Sequence, residues 1–221
     1  MEKIFTFLIY FMLIIASIII HEWSHGMVAY LRGDPTAKIL GRLSLNPLKH
    51  IDPFGTVVLP LVLYFSMGVS FGWAKPVPID QRRLYYPRFD MILATLAGPL
   101  SNFILSFLGF WVFLSLPSHM VFAKEAMIFF TCFNISIGLF NLVPILPLDG
   151  GRIVGELLPR SLSDYWYKLE PMGLFIVFGI FIILPRLETV LNVNSFDPKT
   201  FLLASMIIIL DKYGSILGGT L

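Results

Sequence analysis

His21-Glu22-Trp23-Ser24-His25 sets two imidazoles four positions apart, with a carboxylate beside the first. On a helix, positions i and i+4 share one face about one turn apart, so both rings can grip one cation. Zinc suits such a pair, since it takes imidazole nitrogen readily and settles for four ligands. Glu22, next to the ion, can then take a proton from water that the metal has acidified to a pKa of about 7. Given the chain's own histidine and glutamate content, the pattern would arise by chance about twice in a thousand such sequences. A cluster at a helix end, wetted by lipid headgroups, is the plain alternative.

A catalytic zinc site needs a third protein ligand and a fourth place for water. His50 lies between Lys49 and Asp52, and His119 falls in a short loop; both read as solvated side chains. Cys132 is the single cysteine and reads as a small apolar residue in a membrane helix, so neither a disulfide nor a cysteine zinc cluster can form within the chain. Among the carboxylates Asp149 stands out. It closes an uncharged stretch that begins at Ala126, within Asn141-Leu-Val-Pro144-Ile-Leu-Pro147-Leu-Asp149-Gly150-Gly151-Arg152. Two prolines three apart forbid a regular helix there, and the glycines permit sharp turns. The residues leave two readings of Asp149 open: a ligand presented by an unwound segment, or a solvated aspartate at a helix-ending turn.

These groups must be carried by elements that lie in lipid. The chain of 221 residues is 57% hydrophobic and 14% charged, with 21 phenylalanines. A soluble domain would be about 25% charged, and a fold of this size could not hide so much apolar surface from water. The net charge of +2 is too small to suggest a nucleic-acid partner. Ile4 to Leu31 reads as a first membrane helix, retained rather than cleaved as a signal peptide: its apolar run is long and no small-x-small site follows. Further spans fit within 91–123 and 126–148, with shorter apolar stretches at 171–185 and 201–210. Pro53 to Ala74 is broken by Pro60, Gly55, Gly68 and Gly72, which suits a re-entrant loop better than a straight span.

Lysine and arginine placement gives the orientation. Eleven of the 16 fall in three segments, 32–49, 75–88 and 152–168, which the positive-inside rule puts in the cytoplasm. The expected fold is an all-α polytopic membrane protein, one domain over 1–221. Three transmembrane helices within 4–152 carry the zinc site, joined through a re-entrant or broken region in 33–90. One or two more helices follow in 171–221.

With these residues in view, the chain resembles the site-2 protease family of intramembrane metalloproteases. The resemblance rests on HExxH in an early helix and the far-downstream Asn-x-x-Pro-x-x-Pro-x-Asp-Gly. Ala97-Gly98-Pro99-Leu100-Ser101-Asn102 matches the family's middle core helix. Gly41-Arg-Leu-Ser-Leu-Asn46-Pro47, His50-Ile-Asp52-Pro53-Phe-Gly55 and Gly72-Trp73-Ala74-Lys75-Pro76-Val-Pro78 look like the branch without a PDZ domain. The resemblance covers about residues 4 to 185. It implies one zinc ion per chain, held by His21, His25 and Asp149, with Glu22 as general base and acid. It implies hydrolysis of a peptide bond within or near a transmembrane helix of a membrane-protein substrate. Asn102 and Asn141 match polar positions that could hold substrate backbone or steady the oxyanion; helix-to-helix hydrogen bonding is their plain alternative.

The expected setting is the lipid bilayer of a prokaryotic cell membrane, with the active centre toward the cytoplasm; nothing in the sequence bears on oligomeric state. Gly41 to Asn46 alternates in polarity, so it reads either as an edge strand able to pair with unwound substrate or as a plain loop. Two rival functions stay in view: a membrane zinc protease trimming chain ends or lipid-modified substrates, and a metal transporter or scaffold that would not need Glu22.

Overall fold

The computed structural model describes residues 2–67 and 72–180. Among the described residues all regular structure is helical, and three helices are long and apolar enough to cross a membrane: Ile4–Leu31, Pro87–Ser115 and Val121–Asn141. The expected spans at 171–185 and 201–210 lie partly or wholly outside the described residues. The chain divides into two compact units, Met1–Leu105 and Ser106–Leu221.

In the first unit α1 (Glu2–Leu31) carries HEWSH near its C-terminal end. Its stop is written in Arg32-Gly33-Asp34-Pro35. Gly33 takes φ +104°, a left-handed conformation that a side chain would strain. The Gly33 N–H returns to the Tyr30 carbonyl (3.2 Å) and the Asp34 N–H to that of Ala29 (2.9 Å), the paired bonds of a Schellman ending. Asp34 is buried and accepts from the Thr36 and Asp80 N–H groups at 3.0 and 2.7 Å.

Arg32 donates to Asp90 (2.7 Å), which is fully buried in the first turn of α4 (Pro87–Ser115) and also accepts from the Tyr86 N–H (2.7 Å). Ala29, Leu84 and Ala94 form a small core beside this pair. Alanine on each helix lets the α1 and α4 backbones approach closely. One turn after α1 comes α2 (Thr36–Ile39).

The broken apolar stretch resolves into a π-helical segment, Pro53–Val58, and α3 (Leu59–Met67). Asp52 caps it, accepting from the Phe54 and Gly55 N–H groups at 3.0 and 2.7 Å. The Trp73 N–H then donates to the Gly55 carbonyl (3.1 Å), and the Thr56 hydroxyl to the Trp73 carbonyl (2.9 Å). Entry and exit of the stretch are therefore hydrogen-bonded neighbours, so it returns on itself, as its proline and glycines led one to expect.

One open reading closes and one expectation needs correction. Of the two readings of residues 41–46, edge strand or plain loop, the structure shows the loop: the Arg42 and Leu43 N–H groups both donate to the Ala37 carbonyl (2.8 and 3.1 Å), and Ser44 N–H to that of Arg42 (3.0 Å). These donors fold the segment onto the end of α2, with none arrayed for a partner strand. His50 is not solvated but 3% exposed, its Nε2 bonded to the Ser44 carbonyl at 2.7 Å; it ties down the loop that composition made look polar. His119 is exposed, as expected.

In the second unit the C-terminal part of α4 meets α5 (Val121–Asn141) at Gly109, where an added Cβ would sit 2.8 Å from the Phe130 ring. Cys132 is buried in α5, as expected. After α5 the prolyl segment turns without helix until α6 (Asp149–Leu157). Then come α7 (Arg160–Lys168) and α8 (Glu170–Phe178). The Trp166 indole donates to the Gly151 carbonyl (2.7 Å) and the Tyr167 hydroxyl to buried Glu156 (2.8 Å), fixing α7 on α6. Burial and that bond both push the Tyr167 phenol well above its ordinary pKa.

Candidate metal centre

His21 and His25 lie one turn apart on α1, 5% and 7% exposed. Each ring is held by its Nδ1. His25 donates from Nδ1 to the main-chain carbonyl of Ala94 (2.8 Å), which can only accept, so the tautomer is fixed. His21 Nδ1 lies 2.6 Å from the amide oxygen of Asn102, which is fully buried. In the neutral rings both lone pairs then sit on Nε2, and the two Nε2 atoms are 3.0 Å apart. Two lone pairs brought so close repel unless a cation lies between them. Two nitrogens bound at about 2.0–2.1 Å to tetrahedral zinc would be roughly 3.3 Å apart, so the pair is close to what zinc needs. The outer hydrogen bonds are of the kind that orient metal-bound histidine.

Helix α4 supplies the surface on which the pair rests. Gly98 stands where a Cβ would collide with the His25 ring at Nε2 and Cε1, and with His21 Cε1 at 2.7 Å. Pro99, one residue on, has no N–H for the Thr95 carbonyl one turn back. The Ala94 carbonyl, in that turn, is the acceptor for His25.

Glu22, half-buried beside His21, accepts from the Val77 N–H through Oε2 (2.9 Å). Val77 is itself buried, and a Cβ on Gly26 would come within 2.8 Å of its methyl group.

In the second unit Asp149 is the half-buried first residue of α6. The segment before it is folded tightly: a Cβ on Gly150 would strike the Leu142 carbonyl, and one on Gly151 the Ile145 backbone. Asn141, in the last turn of α5, donates from Nδ2 to the Ile137 carbonyl of its own helix (3.0 Å).

Reasoning from the sequence singled out both histidines and Glu22, which the first unit brings together; Asn102, read there as a group for substrate or oxyanion or else for helix-to-helix hydrogen bonding, lies against His21 from the neighbouring helix. Sequence reasoning missed three contributors. Gly98 was visible only as part of a motif, although a glycine inside an apolar helix signals close approach. The Ala94 carbonyl and the Val77 N–H are backbone groups, which no residue type announces.

A membrane-helix histidine pair with oriented rings and an adjacent carboxylate defines a metallohydrolase type of site. The comparisons agree with that class. The model of peptidase family M50 matches residues 9–127 and 120–184, and the chain belongs to that family, the site-2 proteases. It is 39% identical over 180 residues to "Putative zinc metalloprotease YwhC" of Bacillus subtilis (strain 168), covering 78% of each chain. It is 28% identical over 190 residues to "Putative zinc metalloprotease Rip2" of Mycolicibacterium smegmatis, covering 80% of this chain and 69% of that one. No solved structure matches the chain.

Proposed function

We propose that this protein is an intramembrane zinc endopeptidase, hydrolysing peptide bonds within or near transmembrane segments of membrane-protein substrates. The observation that carries the reading is the convergence of two Nε2 atoms, 3.0 Å apart, on an apolar helix. Ionisable groups at such a position are expensive and mark function.

His21, His25 and Asp149 would hold one zinc ion, two nitrogens and one carboxylate oxygen making up the donor set. Bound there, zinc supplies Lewis acidity, making water nucleophilic near neutral pH and polarising the scissile carbonyl. The chain's own residues do the rest. Asn102 and the Ala94 carbonyl hold the two imidazoles in one tautomer. Glu22 takes a proton from the attacking water as its oxygen bonds to the carbonyl carbon. It returns that proton to the amine as the C–N bond breaks. Asn141 is assigned to the substrate side. The basic segments 32–49, 75–88 and 152–168 support a reading in which the site faces the cytoplasm, the membrane being a prokaryotic cell membrane in this proposal.

The test is Glu22→Gln, which keeps the shape and removes the base. Purified protein should retain one zinc per chain, and turnover should fall by about 10²- to 10⁴-fold. Comparative membrane proteomics of wild-type and E22Q cells should show single-span fragments accumulating in the variant. Full activity in E22Q toward a verified substrate would sink the mechanism and favour a metal-binding role without hydrolysis.

A further inference from the structure

The proposed base has an unusual anchor. One carboxylate oxygen of Glu22 is held by a main-chain N–H of the extended segment after the apolar hairpin. That segment is tethered along its length. Its N–H groups at alternate residues all donate: Trp73 to the Gly55 carbonyl (3.1 Å), Lys75 to that of His50 (2.9 Å) and Val77 to Glu22 (2.9 Å). Pro76 and Pro78 have no N–H to offer. The carbonyls of Lys75 and Pro76 are both taken by one guanidinium nitrogen of Arg42, at 2.7 and 3.2 Å. Arg42 is half-buried, with its Nε shielded from water. With the Trp73, Lys75 and Val77 donors committed inward and prolines at 76 and 78, the end of the strip nearest Glu22 is poorly suited to receive a substrate strand and well suited to act as a fixed strut.

We propose that residues 73–77 are a positioning strut for Glu22, and that Arg42 is the positioning residue that sets it. The inference rests on the reading of Glu22 as general base. Fixing one oxygen of the carboxylate fixes the direction in which the other faces the attacking water, and catalysis is sensitive to such placement. Arg42 acts through the Lys75 and Pro76 carbonyls, which immediately precede the N–H that holds Glu22.

Four variants and one exchange measurement test it. Arg42→Ala removes the tether; Arg42→Lys keeps a cation with one donor tip. Val77→Pro removes the N–H; Val77→Ala is its partner, losing side-chain packing but keeping the donor. The substrate is a single-span protein that accumulates in E22Q cells. For R42A relative to wild type, and V77P relative to V77A, kcat should fall about ten- to a hundredfold, the range for one hydrogen bond to a charged group. KM and zinc content should stay unchanged, and R42K should recover part of the loss. Separately, deuterium exchange of a peptide spanning residues 75–78 reads the Val77 amide, because Pro76 and Pro78 carry none and Lys75 is the peptide's amino terminus. In metal-free protein that amide should exchange faster in Glu22→Ala and in R42A than in wild type.

Unchanged exchange in both variants would overturn the strut, whatever the fate of the enzymatic reading. So would equal kcat across the four variants, an effect confined to KM, or loss of zinc from R42A, which would mean that the segment supports the metal helix rather than the base. If wild type and E22Q prove alike, the proteolytic reading fails, while the exchange result still judges the contact.

Discussion

Substitution of a single atom group should separate the parts of the metal centre. Gly98→Ala adds one methyl where the two imidazoles lie, and the rigid helix backbone behind it cannot retreat. We expect purified G98A to be folded, helical by circular dichroism, and largely zinc-free by elemental analysis, with proteolysis lost in step. Asn102→Ala should be milder. It removes the acceptor on His21 Nδ1 (2.6 Å) and leaves the ring free to turn, so zinc affinity should drop about 10- to 100-fold. Competition with a chelator reads that directly, and added zinc should restore turnover in N102A but not in E22Q. The histidine pair and Glu22, the candidates for metal chemistry, were plain in the sequence, because only a few side-chain types can do such chemistry. Those that shape its surroundings were not: Gly98 acts by what it lacks, and Ala94 by a carbonyl that every residue has.

Among the elements, the junction of α1 and α4 carries the precision. Asp90 is fully buried and Arg32, its partner, is about one-third exposed. Arg32→Ala leaves a carboxylate in the interior with only the Tyr86 N–H beside it, and breaking such a pair costs about 3–5 kcal/mol. Asp90→Asn keeps a neutral acceptor and should cost less. Thermal unfolding in detergent should rank the proteins wild type, D90N, R32A in falling order. Because the junction also sets the Ala94 carbonyl against His25, R32A should bind zinc more weakly without touching it.

The three long helices and the prolyl break before Asp149 were legible from charge-free runs and from Pro144 and Pro147, whose backbone chemistry admits few outcomes. The return of 53–74 was legible in kind. Its joinery was not, since the Gly55–Trp73 and Thr56–Trp73 bonds pair residues far apart in sequence. His50 went wrong for a related reason: charged neighbours in sequence, Lys49 and Asp52, said nothing of the Ser44 carbonyl that folds over it.

For the whole molecule the distribution of lysine and arginine predicts a sidedness, and that is open to measurement. The natural thiol Cys132 is buried. With Cys132→Ala as background, single cysteines in place of Lys38, Arg82 and Lys168 sample the three basic segments. All three should react with a membrane-impermeant maleimide in inverted vesicles and stay unlabelled in intact cells. Labelling of the Arg82 site from the opposite face to the Lys38 site would show that 53–74 crosses the membrane once. It would also contradict the hydrogen bonds that close its two ends.

The two histidines are steadied by unlike means, and this has a consequence for how the protein tolerates change over generations. His21 leans on a side chain, so almost any codon change at position 102 withdraws its support. His25 leans on the main chain of residue 94, which survives every substitution that the space between α1 and α4 admits. Heritable loss of function should therefore fall unevenly on the pair. In a saturation library scored by growth or by substrate cleavage, position 94 should accept small residues of any polarity and reject bulk. Position 102 should reject by chemistry, with aspartate the best-tolerated replacement. One histidine is exposed to drift at its support, and the other is insured by a peptide bond.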